Sequence, residues 1–284
     1  MKKLLFIAIA FTLSFSINAQ VETPQPSPSS KVEQKVGLTD VTLEYSRPGV
    51  KGRTIFGGLE PWGTTWRTGA NKNTTITFSD DVTIAGQDVK AGSYAIFTKL
   101  NSATQWDVIF YSDTNNWGTP ENWDEAKVAA TAKVEVMEVP FNVETFTIDI
   151  NNIKNDSATL EFIWEKSYAA IPFTVPTDAK VTASIKKVMS GSEIKAEDYY
   201  ASAVYYLESG KDMKKAVVWI DKAIEMIKEK PRFWYNHQQA LIHAKAGDKE
   251  GAIAAAKESL RLAKEAKYDA YIRKNEEKLK EWGA

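Results

Sequence analysis

The chain has 284 residues, with 36 Lys plus Arg against 37 Asp plus Glu, two His and no cysteine. That length holds one or two domains with real cores. The missing cysteine excludes disulfides, thiolate metal sites, thiol catalysis and a lipidated-cysteine anchor.

The first element reads as an export signal. Lys2 and Lys3 form its positive end, an apolar run follows from Leu4 to Phe15, and Ile17-Asn18-Ala19 is a small-residue cleavage site before Gln20. The run falls short of the roughly 20 residues a bilayer requires, and Ser14, Ser16 and Asn18 erode it further. Cleavage after Ala19 is expected, leaving a periplasmic or secreted chain with no stable membrane anchor. Residues 20–30, rich in Pro and Ser, read as a disordered spacer.

Residues 31–175 alternate apolar and polar side chains and are rich in Thr, Val, Ile and aromatics. Strands are expected at Val41 to Tyr45, Thr74 to Phe78, Val82 to Ile84, Tyr94 to Leu100 and Trp106 to Tyr111. Four more follow at Ala132 to Glu138, Glu144 to Ile150, Ala158 to Trp164 and Ala169 to Thr174. Turn chemistry separates them at Ala85-Gly86-Gln87-Asp88, Lys90-Ala91-Gly92-Ser93 and Asn151 to Asp156. Short strands with no helical pattern between them predict an antiparallel β-sandwich or open barrel.

Residues 176–284 change to Ala, Lys, Glu and Leu at helical spacing. Helices are predicted over Ala179 to Met189, Ala196 to Ser209, Met213 to Ile227, Arg232 to Ala246, Lys249 to Glu265 and Asp269 to Trp282. Ala216, Ile220 and Ala223 recur as Ala252, Ala256 and Ser259, a period of 36. This resembles tetratricopeptide repeats, whose helix hairpins stack through small residues. The first-helix positions depart from that pattern, with Tyr200, Ala203, Val204 and Leu207 in one hairpin and Asn236, Gln239, Ala240 and His243 in the next. The expected fold class is therefore α+β by segregated domains, a β-sandwich followed by degenerate helical hairpin repeats and a closing helix.

Charge follows the same division. Residues 20–176 carry 13 Lys plus Arg against 20 Asp plus Glu, net −7, and residues 177–284 carry 21 against 17, net +4. Neither part has the strongly basic face of a nucleic-acid binder. The asymmetry suits docking of the helical part on the strand part or on an acidic partner.

The acidic part holds three arginines, Arg47, Arg53 and Arg67, all within Ser46 to Asn73 together with Lys51 and Lys72. Such a long Gly-rich connection in a compact domain is either disordered or functional, and its aromatic content argues for order. Guanidinium groups suit carboxylate or phosphate, and Trp62 or Trp66 supplies an apolar floor. In the competing reading the arginines pair internally with Glu44 or Glu60, and the indoles cap the open end of the sandwich. Asn71 completes this block. In a second loop, Ser112 to Trp123, Trp117 and Trp123 stand among Asn and Asp, a composition that suits stacking on a sugar ring. Packing under the sandwich edge is expected for at least one of the two.

The run Ser46-Arg47-Pro48, Lys51-Gly52-Arg53, Ile55-Phe56-Gly57, Pro61-Trp62-Gly63 and Trp66 to Asn71 continues into Phe78, Asp81-Val82, Gly86 and Ala91 to Tyr94. It resembles the domain-of-unknown-function 2911 family of exported bacterial proteins, found mainly in Bacteroidota, over roughly Lys31 to Pro172. The resemblance implies an exported β-rich domain, sometimes followed by tetratricopeptide-like helices, and carries no activity with it.

Other chemistry is weakly represented. The glycines lack the spacing of a nucleotide loop. The β part has no His to activate a serine. His237 and His243 are six apart on one helix, on opposed faces, and read as solvated or hydrogen-bonded helix positions. No cofactor, metal site or catalytic residue is expected. The function expected is a non-enzymatic binding module, with a small anionic or carbohydrate ligand on the β domain and a protein partner on the helical repeats. A glycan hydrolase using carboxylates such as Asp107 and Asp113 and a purely structural envelope component are the alternatives.

Overall fold

The computed structural model describes residues 23–284, so the expected export signal lies outside the described residues. The chain divides into two compact units at Pro176 and Thr177.

The first unit is an open antiparallel sheet of ten strands. In chain order these are β1 (Ser29–Val36), β2 (Thr39–Ser46), β3 (Thr65–Trp66), β4 (Thr75–Phe78), β5 (Val82–Ile84), β6 (Gln87–Val89), β7 (Gly92–Ser102), β8 (Gln105–Tyr111), β9 (Val128–Asn151) and β10 (Ser157–Thr174). Their spatial order is β1-β2-β4-β7-β8-β9-β10-β5-β6, and β3 pairs β7 off this path. Alternation becomes burial: Thr39, Val41, Leu43 and Tyr45 of β2 are buried, while Asp40, Thr42 and Glu44 between them are not.

The longest strand, β9, organises the sheet. Its first half pairs β8, with Val108 opposite Ala132, and its second half pairs β10, with Phe162 opposite Ile148. The sheet therefore curls back on itself, and Leu43, Ile76, Val108, Phe146 and Phe173 share one core. The two strands expected at Ala132 to Glu138 and Glu144 to Ile150 are thus one strand. Between them, Pro140 lies in residues 139–142, four residues bulged opposite Lys166 between the pairs Glu138–Ser167 and Val143–Glu165. At a bulge a proline withholds no ladder hydrogen bond.

Two expectations at the edges change. Residues 26–30 of the expected spacer carry structure, because β1 starts at Ser29 and the carbonyls of Pro26, Ser27 and Pro28 accept hydrogen bonds from Lys51 Nζ, Asn71 Nδ2 and the Arg47 amide. Their donors come from a distant loop, which local composition does not reveal. The segment Gln87-Asp88, read as turn, belongs to β6, too short a strand to show periodicity.

The second unit holds six helices: α1 (Thr177–Met189), α2 (Ala196–Glu208), α3 (Met213–Met226), α4 (Phe233–Ala246), α5 (Lys249–Glu265) and α6 (Asp269–Trp282). Asp212 and Asp248 cap α3 and α5 by accepting first-turn amide hydrogens. The repeat positions Ala216, Ile220, Ala223, Ala252, Ala256 and Ser259 are all 0% exposed, so the helices of each hairpin close on small residues. Among the described residues no helix is long and apolar enough to cross a membrane.

Candidate functional site

The arginine-bearing connection is held by a strand that has changed partners. Between the pairs Thr147–Ile163 and Val143–Glu165, residues 144–146 of β9 stand opposite Trp164 alone on β10. They pair instead with the continuation of β2. The Val50 amide donates to the Glu144 carbonyl at 2.7 Å, the Phe146 amide donates to Pro48 O at 2.9 Å, and Gly49 bridges Thr145. Tyr45 OH completes the junction at both the amide and the carbonyl of Ile148.

Each arginine has a separate post. Arg47 donates from Nε to Phe146 O at 3.0 Å and from Nη2 to Thr147 Oγ1 at 2.7 Å, riveting the loop to β9. Arg53 is exposed and curls over its own turn, donating to Val50 O and to Gly49 O at 2.7 Å. Arg67 donates through Nη1 to Asn71 O and to Trp117 O at 2.8 Å, so it ties the two loops singled out in the sequence to each other. Among the described residues none of the three forms an ion pair with Glu44 or Glu60. Asn71 reaches Ser27 O and Ser46 Oγ.

The indoles divide as sharply. Trp66 is 3% exposed, donates to Gly69 O, stacks on Trp164 at 5.7 Å and meets Phe56 and Phe146 edge-on. It is a core residue rather than a ligand floor. Trp62 is 40% exposed and lies over Gly57, where any β-carbon would collide with the indole. Trp123 stacks on Tyr111 at 4.5 Å and covers Phe97 on the other face of the sheet, as packing requires. Trp117 is 73% exposed.

A cavity of about 230 Å³ opens at the Ser46 to Asn73 connection. Lys51, Arg53, Leu59 and Glu60 line it together with Pro48, Gly69 and Trp164, and Pro26 and Ser27 cross its edge. Arg47, Trp62, Trp66, Asn71 and Trp117 are not among its walls. Glu60 is half-buried, and among the described residues its carboxyl accepts no hydrogen bond. Burial pushes its pKa up to about 7, with the charge of Arg67 opposing the rise. Glu60 and Trp164 are among the lining residues that sequence reasoning did not single out as a site, as are Pro26 and Ser27. The available signal was that Glu60 is the one carboxylate between Ser46 and Asn73.

The remaining chemical candidates are occupied with structure. Asp113 pairs with Lys127 at 2.9 Å, and that hydrogen bond holds its carboxyl below the usual range, the reverse of what a general acid needs. His243 lies between Asp248 Oδ2, 2.7 Å from Nδ1, and Asp221 Oδ1, 2.9 Å from Nε2. Burial lowers its pKa, but the hydrogen bonds to Asp221 and Asp248 outweigh that and raise it, favouring the charged form, in which both nitrogens donate. His237 is instead buried against Asn275, and burial drives its pKa down. Both are hydrogen-bonded helix positions. Among the described residues no group of three or more His, Asp or Glu is placed to hold a metal ion.

Fold and site together define a β-rich domain, built around one long arginine-bearing loop, followed by a helical region. The chain belongs to the family described as protein of unknown function (DUF2911), whose model matches residues 27–173, just over half of the chain. The helical unit lies outside that match. No curated protein and no solved structure matches the chain.

Proposed function

We propose that the protein is an exported, non-enzymatic binding module whose β unit takes a small anionic ligand in the Lys51–Arg53–Glu60 cavity and whose helices meet a protein partner. The observation that supports the ligand site most directly is the cavity itself. It places an ammonium and a guanidinium beside a carboxyl that has no hydrogen-bond partner of its own among the described residues. Arg53 keeps Nη1 unengaged after its two bonds to carbonyls, leaving donors for a carboxylate or phosphate. A volume of about 230 Å³ suits a small molecule rather than a chain. Binding an anion favours the protonated form of Glu60, so affinity rises as pH falls through about 7. For the helices, exposed Trp234 and Tyr268, clustered with Phe233 and Tyr271, provide the kind of aromatic surface that partners use.

Calorimetric titration of the mature chain with small carboxylates and phosphates, at a pH below and a pH above 7, tests the ligand site. Binding that is tighter at the lower pH and lost in Lys51→Ala/Arg53→Ala supports it. Equal binding by that double variant, or none by the parent, sinks it. Amino-terminal sequencing of the protein recovered from the periplasm or medium checks export, with Gln20 as the expected first residue.

A further inference from the structure

The one large side chain in the Ser112 to Trp123 loop without a packing role is Trp117, and its main chain is among the best held in that loop. Arg67 Nη1 donates to its carbonyl at 2.8 Å. On the preceding residue, the Asn116 amide donates to Asn73 Oδ1 at 3.0 Å, while the Asn73 amide returns a bond to Asn116 O at 3.2 Å. On the following residues, Asn73 Nδ2 donates to Gly118 O and Thr119 Oγ1 donates to Thr65 O at 3.0 Å. Asn73, at the centre of this clamp, is 4% exposed. A loop that was merely loose would leave both backbone and ring free. Here the backbone is fixed on both sides and the indole is held in water at 73% exposure.

The neighbours of that indole say what covers it. Along the chain Asp113, Thr114, Asn115, Asn116 and Thr119 are polar, so this loop supplies no apolar rim of the kind that excludes water around a protein–protein anchor. The guanidinium that holds the Trp117 carbonyl, that of Arg67, packs so closely on the next residue, Gly118, that a β-carbon there would lie 3.3 Å from Nη2. Gly118, at φ 152°, lets the two meet. Arg67 Nη1 is committed to the loop, and among the described residues Nε and Nη2 make no hydrogen bond. An exposed indole on a held backbone, in a polar loop tied to an arginine with donors to spare, matches a ligand with an apolar face and a polar rim. A pyranose ring has that form.

We infer that Trp117 is a carbohydrate-stacking platform, on which a pyranose ring of an oligosaccharide lies flat while Arg67 hydrogen-bonds its hydroxyl or carboxylate substituents. Trp117 and Arg67 do not line the Lys51–Arg53–Glu60 cavity, and the inference stands independently of that site.

The test is calorimetric titration of the mature chain against a panel of neutral and uronic-acid oligosaccharides, with thermal melting of every variant. Trp117→Ala is expected to weaken binding at least tenfold while leaving the melting temperature unchanged, because the indole buries little, and Trp117→Phe to restore part of the affinity. Phe141→Ala, which removes a similarly exposed ring on β9, leaves binding intact. Arg67→Gln separates the ligand sources: a loss confined to the uronic-acid members assigns an acidic glycan, and an equal loss across the panel assigns a neutral one. No binding by any member of the panel, or unchanged binding by Trp117→Ala, overturns the inference.

Discussion

The two units bury different things. The β unit fills its core with rings, as Phe56, Trp66, Phe146 and Trp164 interlock with centroids 5.0 to 6.0 Å apart. The helical unit closes on alanines: Ala203, Ala216, Ala223, Ala256 and Ala263 are each 0% exposed. A curled sheet encloses volume that large side chains must fill, whereas helix hairpins approach one another only where side chains are small. The lesson is that the sensitivity of the two units to substitution runs in opposite directions, deletion in one and insertion in the other.

The largest effect that would break this contrast is in the sheet. Trp164→Ala removes the ring on which Trp66 stacks and is expected to destabilise the β unit by about 3 to 5 kcal/mol. Urea unfolding followed by fluorescence should show it, with the helical transition unmoved. The converse test is Ala256→Leu, which forces bulk between α4 and α5 and is expected to cost the helical unit about 1 to 3 kcal/mol. It should appear in the helical circular dichroism signal, while Leu at a ring position of the β unit would leave a hole.

Two smaller predictions sharpen the contrast through pH, because the titrating group of one unit is raised by carboxylate partners and that of the other by burial. His243 has a folded pKa raised above its unfolded value by Asp221 and Asp248. The stabilisation it gives is fully present below the unfolded pKa of about 6.5 and is lost as pH rises through the folded value. The midpoint of the helical transition should fall across that range in the parent and stay level in His243→Gln. Glu60 is raised by burial, to about 7. The folded β unit therefore holds a proton that the unfolded chain has released, and its stability declines as pH climbs from about 4.5 to about 7. Glu60→Gln should abolish that decline in thermal melts, with a slightly higher melting temperature above pH 7 and little change in mild acid.

Much of this architecture was legible where a local pattern carried it. The helices α5 and α6 have the limits their spacing predicted, and the 36-residue recurrence of small residues marked positions that are fully buried. What local pattern did not carry was the continuity of β9, since the four residues bulged opposite Lys166 interrupt its alternation. The site shows the same division. That Ser46 to Asn73 and Ser112 to Trp123 are special follows from composition, and the structure joins them through Arg67 and Asn73. Which residues line the cavity depended on Trp164, a ring that lies far along the chain in a strand whose alternation said only that it faces inward.

The handover of residues 144–146 from β10 to the continuation of β2 also sets the order in which the molecule assembles. The bond from Arg47 to Phe146 O spans 99 positions, and that from Tyr45 OH to Ile148 spans 103, while the hairpins α2–α3 and α4–α5 join neighbours. Closing so long a loop costs entropy before any contact repays it. Refolding from denaturant should therefore regain helical signal in a fast phase and the Trp66–Trp164 environment in a slow one. During that interval the last strand interactions to form are those that hold the arginine loop.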